Sequence, residues 1–327
     1  MSQKHVLLSW RFPTPGPEMV AAEHEVAIWE GDQPMSRQEF LHRISNVDAV
    51  FVSNATEVLD REAIDAAPHL RCISNFGVGY DNVDVPYATS RGILVCNTPG
   101  VLTETTADHA FALLLAAARR LMEGQAYIRQ DRWRGWTPTL LVGQEVNGAR
   151  LGIIGLGNIG TAVARRAKGF NMITSYWSRS PKPHLEIELN ITYETLDELL
   201  GHADFICITV ALTPETRGLI SDRAFSLMKP EAILINVARG PIVDRHALQR
   251  ALEYGRIFAA ALDVTDPEPL RGDDPLLQFS NLLILPHVGS ATQRTRSRMS
   301  ELAARNLLAA LAGERPPHLV NPEALRR

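Results

Sequence analysis

The segment that most restricts the fold of this 327-residue chain is a glycine-rich hexapeptide, Gly155-Leu156-Gly157-Asn158-Ile159-Gly160. It follows the apolar run 151–154 and precedes a stretch in which Ile159, Val163 and Ala167 recur at helical spacing. Glycines at these three positions permit a tight turn, let the backbone approach a pyrophosphate, and let the helix pack closely on the strand. We therefore predict a strand–turn–helix unit whose N–H groups bind the phosphates of a dinucleotide.

Strand and helix patterns alternate on both sides of this turn. Apolar runs predict strands at residues 6–10, 25–29, 48–52, 70–74 and 93–96, and again at 151–155, 172–177, 205–210, 232–237, 258–263 and 282–285. Helix-capping signals lie between them, at Ser36 with Glu39, Asp60, Pro86, Thr195 with Glu198, and Asp244. Such alternation is typical of parallel sheets covered by helices on both faces. The predicted fold class is α/β, with two doubly wound parallel-sheet domains.

Three longer segments complete the pattern. Residues 103–130 are rich in Ala and Leu and lack proline, which predicts one helix about 40 Å long that passes from one domain to the next. Residues 131–148 contain Trp, Gly and Pro and predict an irregular connection. An amphipathic helix over 292–312 is expected to return to the first domain.

The composition argues against several classes of protein. With 33 Lys and Arg against 37 Asp and Glu, the net charge of -4 does not suit a nucleic-acid-binding surface. The longest apolar stretch, 110–118, is about half of the roughly 20 residues that a membrane-spanning helix needs. The apolar run 6–10 is too short for a signal peptide, so a cytoplasmic location is expected. Cys72, Cys96 and Cys207 are expected to be buried thiols, with no disulfide framework and no metal site.

Residues after the second strand of the glycine-turn unit indicate which dinucleotide binds. About 20 residues beyond the turn, an acidic side chain would bind the ribose 2′-hydroxyl of NAD. This chain instead has Ser178, Arg179 and Ser180, with no carboxylate from 176 to 180. An arginine and two hydroxyls can bind the additional phosphate of NADP. We predict that NADP(H) is preferred, with NAD(H) as the alternative.

Three more polar side chains follow predicted strands of this unit. Arg239 follows the run 233–238, Glu268 lies just beyond Asp263, and His287 follows the run 282–285. Open α/β sheets bind their ligands at these carboxyl ends. A guanidinium can hold a carboxylate through two parallel hydrogen bonds, and an imidazole can exchange a proton near neutral pH. A glutamate bonded to the distal ring nitrogen would fix the imidazole tautomer.

Six motifs in chain order now carry a family resemblance. They are residues 78–84 (Val-Gly-Tyr-Asp-Asn-Val-Asp), residues 97–103 (Asn-Thr-Pro-Gly-Val-Leu-Thr), the glycine turn, residues 238–240, residues 263–269 and residues 286–290. Together they cover nearly the whole chain and resemble the D-isomer-specific 2-hydroxyacid dehydrogenase family. Within that family, residues 176–180 and 289–292 are most similar to the glyoxylate/hydroxypyruvate reductases.

The resemblance implies a discontinuous arrangement of domains. Residues 1–99 and 290–327 would form a flavodoxin-like substrate domain, and a Rossmann NADP-binding domain of residues 100–289 would be inserted into it. The active site would lie in the cleft between the domains. A homodimer is also implied, with the long helix and the Trp-rich connection at or near its interface. Trp136 would either reach the neighbouring active site or pack locally.

The resemblance also implies roles for individual residues. Arg239 would bind the carboxylate and carbonyl of a small 2-oxo acid, assisted by the N–H groups of Val78 and Gly79, and Glu268 and His287 would form the acid–base pair. The implied reaction is NADPH-dependent reduction of glyoxylate or hydroxypyruvate to the D-2-hydroxy acid, with His287 donating the proton. The expected cofactor contacts are Gly155, Leu156, Gly157, Asn158, Ile159, Gly160, Ser178, Arg179, Ser180, Val237, Ala238, Arg239, Asp263, His287 and Gly289.

Other functions stay open on the sequence. Residues 132–136 resemble phosphite dehydrogenases, and residues 101–104 resemble 2-ketogluconate reductases, so the same fold and cofactor could serve another substrate. A non-catalytic, nucleotide-sensing corepressor can also use this fold, although long disordered tails and a peptide-binding edge would be expected of it.

Overall fold

The structure, a computed structural model, describes residues 3–326 and divides the chain into two units. The first unit ends at Leu102 and resumes at Ala291, and the second unit is Thr103–Ser290. The boundaries that the resemblance implies are residues 99 and 289. Each unit is described separately below.

The first unit is built on a five-stranded parallel sheet in the order β2-β1-β3-β4-β5, the flavodoxin-like order. Its strands are β1 (His5–Leu8), β2 (Glu25–Ile28), β3 (Ala49–Ser53), β4 (Cys72–Phe76) and β5 (Leu94–Cys96). Its helices before the second unit are α1 (Gly16–Ala21), α2 (Arg37–Ile44), α3 (Arg61–Asp65) and α4 (Val85–Ser90). Helix α1 was not predicted. Its segment is rich in proline, but Pro17 fits the first helical turn, where its missing N–H is not needed.

The second unit contains a seven-stranded parallel sheet in the order β12-β11-β10-β9-β6-β7-β8. Its strands are β6 (Arg150–Ile154), β7 (Ile173–Trp177), β8 (Thr192–Tyr193), β9 (Phe205–Ile208), β10 (Ile233–Asn236), β11 (Ala259–Leu262) and β12 (Leu282–Ile284). Its helices are α5 (Thr103–Ala118), α6 (Leu121–Arg129), α7 (Asn158–Ala167), α8 (Pro183–Leu189), α9 (Leu196–His202), α10 (Asp222–Leu227) and α11 (Arg245–Glu253).

The second sheet has the Rossmann strand order extended by one strand. The chain order reverses between β6 and β9, where doubly wound sheets bind their ligands. The predicted fold class is therefore confirmed in both units. The prediction of six strands omitted β8, which is only two residues long.

The prediction of one helix over residues 103–130 is wrong. Helix α5 ends at Ala118, and Arg120 then adopts a left-handed backbone conformation with φ of 51° before α6 begins. The carbonyl of Ala118 accepts a hydrogen bond from the amide of Gln144, at 2.9 Å. Gly143 makes this approach possible, because a Cβ atom there would lie 2.0 Å from the same carbonyl. A contact with the distant segment 131–148 thus ends the helix.

The last helix, α12 (Gln293–Leu311), belongs to the first unit, as predicted, and packs against α1, β3, β4 and β5. Buried polar groups fix its position. Ser74 donates to the carbonyl of Ala303 at 2.8 Å, and Asn306 donates to the carbonyl of Asn97 at 2.9 Å. These bonds satisfy polar atoms that would otherwise be buried without partners.

Several local predictions are confirmed by the structure. Thr195 and Glu198 form the reciprocal capping box, and Asp60 and Asp244 cap α3 and α11. Ser36 caps α2, but the Glu39 side chain binds Arg43 instead, so only half of that predicted box forms. The three cysteines are buried free thiols.

Within residues 3–326, no helix is long and apolar enough to cross a membrane, and no cluster of His, Cys, Asp and Glu is arranged to hold a metal ion.

Candidate active site

The glycine turn lies at the carboxyl end of β6. Gly155 has φ of 101°, and a Cβ atom there would lie 2.6 Å from the backbone of Val210. A Cβ atom on Gly160 would lie 2.2 Å from the carbonyl oxygen of Gly155. Gly157, the N-cap of α7, faces open space instead. Packing therefore explains two of the glycines, and the third leaves room at a helix N-terminus for a phosphate group, so the turn fits a dinucleotide.

The loop after β7 carries the predicted adenosine-side residues. Ser178 donates to the carbonyl of Ser180 at 2.7 Å, and Arg179 is exposed. Sequence reasoning missed Lys182, whose ammonium group donates to the carbonyl of Leu156 at 2.6 Å. The only signal for it was a lysine a few residues beyond the strand. This bond connects the β7 loop to the glycine turn and places a second cation beside it.

Tyr176, on β7, also fixes this loop. Its buried hydroxyl donates to Glu186 at 2.7 Å and accepts the backbone N–H of Lys182 at 2.5 Å. Burial, followed by the Glu186 contact, raises the pKa of Tyr176 to about 12. The phenol therefore stays neutral and serves as a donor under ordinary conditions.

Asp263, at the carboxyl end of β11, organises the loop that contains His287. Its Oδ1 accepts the amide of Val288 and its Oδ2 accepts the amide of Gly289, both at 2.8 Å. Oδ1 also lies 3.0 Å from Nε2 of His109 on α5, a partner that sequence reasoning missed. Asp263 is only 2% exposed, so its carboxylate depends on these three protein contacts rather than on bulk solvent.

His287 and Glu268 form a close pair at this edge. Nδ1 of His287 lies 2.6 Å from Oε1 of Glu268, and the two side chains are 31% and 28% exposed. The backbone of His287 is left-handed, with φ of 54°, a conformation that costs a non-glycine residue about 1 kcal/mol. Its amide donates to the carbonyl of Asp263 at 2.8 Å, which holds this conformation. Since Nδ1 faces the carboxylate, Nε2 is the nitrogen that can exchange a proton with a ligand.

Arg239 lies in the loop after β10. Fully buried Asn236 fixes this loop by accepting the amide of Ala238 at 3.0 Å and donating to the carbonyl of Arg239 at 2.9 Å. A Cβ atom on Gly240 would lie 1.9 Å from the carbonyl oxygen of Thr265, so the loops after β10 and β11 are packed directly together. The structure thus places Arg239 and Glu268 on adjacent loops.

Val78 and Gly79 lie in the first unit, in the loop after β4. The carbonyl of Val78 accepts from Asn97 at 2.8 Å, and that of Gly79 accepts from Asn54 at 3.2 Å. Within residues 3–326, the amides of Val78 and Gly79 donate to no other protein group. The loop is therefore fixed through its carbonyls and presents two N–H donors, a suitable arrangement for an anion.

Glu57 is a buried carboxyl group at the same edge of the first sheet, and sequence reasoning missed it. It accepts from Thr56 at 2.7 Å, from the Ser53 amide at 3.1 Å and from the Trp10 indole at 3.1 Å. Burial outweighs these bonds and raises the pKa of Glu57. Because the folded state favours the neutral acid, this stabilisation is present at acid pH and is lost as the pH rises through the raised pKa.

Comparison with known proteins identifies the chain. Residues 111–289 match the family model described as the NAD binding domain of D-isomer specific 2-hydroxyacid dehydrogenases. The chain belongs to this family. The match spans the glycine turn, Arg239, Glu268 and His287.

Similar proteins cover almost the full length of this dehydrogenase. A glyoxylate reductase of Korarchaeum cryptofilum is 46% identical, with 98% of this chain and 97% of that protein aligned. A glyoxylate reductase of Pyrococcus furiosus is also 46% identical, with coverage of 98% and 96%. An NADPH-dependent glyoxylate/hydroxypyruvate reductase of Sinorhizobium meliloti, solved with NADP and malonate, has a TM-score of 0.86 and 35% identity, with coverage of 99% and 98%. The predicted family resemblance, including its glyoxylate/hydroxypyruvate reductase branch, is confirmed.

Proposed function

We propose that this dehydrogenase reduces a small 2-oxo acid, glyoxylate or hydroxypyruvate, to the corresponding 2-hydroxy acid, glycolate or D-glycerate. The observation that carries the proposal is the 2.6 Å pairing of His287 with Glu268 at the edge of the nucleotide-binding sheet, on a loop adjacent to that of Arg239. A proton donor and a carboxylate-binding cation are the two groups that this reaction requires. The names of the similar proteins support the same substrates.

Each residue of the proposed site would have its own role in the reaction. A bound nicotinamide supplies the hydride that reaches the carbonyl carbon of the substrate. Protonated His287 gives its Nε2 proton to the carbonyl oxygen, and Glu268 holds the ring through Nδ1. Arg239 binds the substrate carboxylate and stabilises negative charge at the reacting oxygen. The amides of Val78 and Gly79 also donate to the carboxylate.

We propose NADP(H) as the preferred cofactor, with NAD(H) as the alternative. The open space at Gly157 suits a dinucleotide of either kind, and the absence of a carboxylate from residues 176–180 supports the choice of NADP(H). Arg179 is exposed at the strand end, where its charge is the last of several causes that lower the pKa of Glu215, after the Thr213 hydroxyl. Glu215 would therefore be a weak competitor of a 2′-phosphate for Arg179. The further cofactor contacts that we propose are Leu156, Asn158, Ile159, Ser178, Ser180, Val237, Ala238, Asp263, His287 and Gly289.

We further propose a homodimer in the cytoplasm that acts on a small molecule rather than on nucleic acid. Apolar side chains more than half exposed are concentrated on α6 and the segment after it: Leu121, Met122, Ile128, Trp133, Trp136 and Val142. Such a concentration is typical of a protein–protein interface. The three free, buried thiols suit a reducing compartment.

The substrate and cofactor are tested by one absorbance assay at the NADPH band. We expect oxidation of NADPH with glyoxylate and hydroxypyruvate, and a higher kcat/KM with NADPH than with NADH. Faster reaction with 2-ketogluconate, or reduction of NADP by phosphite, would assign another substrate to the same fold. A clear preference for NADH would contradict the role of Arg179.

The acid–base assignment is tested by substitution. His287→Gln should lower kcat by about 10²- to 10⁴-fold with a modest change in KM, because proton transfer is lost. Arg239→Gln should mainly raise the KM for the oxo acid, because a neutral amide replaces a guanidinium that can donate two parallel hydrogen bonds to the carboxylate. Near-normal turnover by the His287 variant, measured at saturating substrate, would be incompatible with the assignment.

The dimer is tested by sedimentation velocity of the wild type and of Trp136→Ser. We expect a dimer that the substitution weakens, because Trp136 is 80% exposed within the apolar surface. Ile187→Ser, on α8, is the matched control, since Ile187 is 85% exposed outside that surface. A wild-type chain that sediments as a monomer at micromolar concentration would rule out the dimer.

A further inference from the structure

The loop that carries Glu268 has little apolar anchorage. It runs from the end of β11 to the 3-10 turn Pro275–Gln278, and its residues 266–269 and 271–273 are exposed. Buried apolar side chains lie only at its two ends, at Val264 and Leu276. Hydrophobic burial therefore cannot by itself fix the position of the glutamate between them.

A buried ion pair ties this loop to α11. Nη2 of Arg245 lies 2.6 Å from both carboxylate oxygens of Asp274, and Nη1 donates to the carbonyl of Asp266 at 3.3 Å. The two side chains are 21% and 7% exposed. One guanidinium thus binds the loop on both sides of Glu268.

The helix that carries Arg245 is itself firmly held. Arg245 is its first residue, directly after the N-cap Asp244, whose carboxylate accepts the amides of His246 and Ala247. Leu248 and Ala251 of the same helix are buried in the core of the second unit. The arginine therefore fixes the loop to a helix that is packed in the core of the second unit.

We propose that Arg245 and Asp274 are positioning residues for the acid–base pair, an inference that rests on the proposed role of Glu268 and His287. By fixing Asp266 and Asp274, Arg245 holds Glu268 where its carboxylate meets Nδ1 of His287. Asp274 has a second effect. It neutralises the guanidinium through the contact of both its oxygens with Nη2, so that this cation does not compete with His287 for Glu268.

The test compares variants of two arginine–aspartate pairs on the same helix. Arg245→Met removes the proposed anchor, and Arg250→Met is the matched control, because Arg250 binds Asp222 in a similar two-point contact at 3.0 and 2.6 Å on the exposed face. We expect Arg245→Met to lower kcat for glyoxylate about tenfold, with KM and the dissociation constant of NADPH changed less than twofold. The control should change none of these values by more than twofold.

A second variant covers the case in which Arg245→Met leaves buried Asp274 unpaired and unfolds the protein. Arg245→Met/Asp274→Asn removes both charges and should show the same selective loss of kcat. A loss of NADPH affinity of the same size as the loss of kcat, in either variant, would overturn the proposal because it would indicate general disruption of the unit.

A double-mutant cycle with Glu268→Gln separates this proposal from the proposed function. If Arg245 acts through Glu268, then Arg245→Met in the Glu268→Gln background should lower kcat by less than a further twofold. If the double variant lowered kcat by the product of the two single-variant factors, the positioning role would be overturned. A wild-type kcat for Arg245→Met, together with a lowered kcat for Glu268→Gln, would overturn it as well. A wild-type kcat for Glu268→Gln itself would instead refute the acid–base pair.

Discussion

The geometry around His287 depends on the hydrogen bonds of one buried carboxylate, that of Asp263. It accepts the amides of Val288 and Gly289 and faces the imidazole of His109, so both of its oxygens have protein partners. These contacts turn the chain at His287 into a left-handed conformation. Gly289 allows the close approach, because a Cβ atom there would lie 2.8 Å from Oδ2 of Asp263. The position of His287, the proposed proton donor, is thus determined by a residue at the end of the neighbouring strand.

The same edge places several charged side chains beside specific partners. Glu268 faces His287, Arg245 is neutralised by Asp274, and Asp263 is held by neutral donors and His109. Fixed partners of this kind reduce the reorganisation needed when charge develops on a substrate. The small net charge of the whole chain therefore gives no indication of this local arrangement, in which oppositely charged side chains lie in pairs.

Local sequence signals predicted the features that depend on near neighbours. The parallel sheets followed from alternating apolar runs, the caps at Asp60 and Thr195 from short-range hydrogen bonding, and the glycine turn from backbone conformation. The roles of Arg239, Glu268 and His287 came from a family resemblance and stay proposals, although the structure brings the last two into contact.

Features that depend on distant contacts could not be predicted. The end of α5 is caused by the amide of Gln144, which lies 26 residues beyond Ala118. His109 contributes to the site only because α5 passes beside the end of β11, and Asp274 only because Arg245 reaches it across a loop. No periodicity or spacing in one sequence records such pairings.

The most direct test of the proposed reaction is to follow deuterium from the cofactor into the product. The reaction of glyoxylate with NADPH that carries deuterium at both C4 positions should give glycolate with one deuterium on C2, because the proposed step moves hydride from nicotinamide to the carbonyl carbon. Glycolate formed without deuterium, or no oxidation of NADPH by either glyoxylate or hydroxypyruvate, would contradict the proposed reaction.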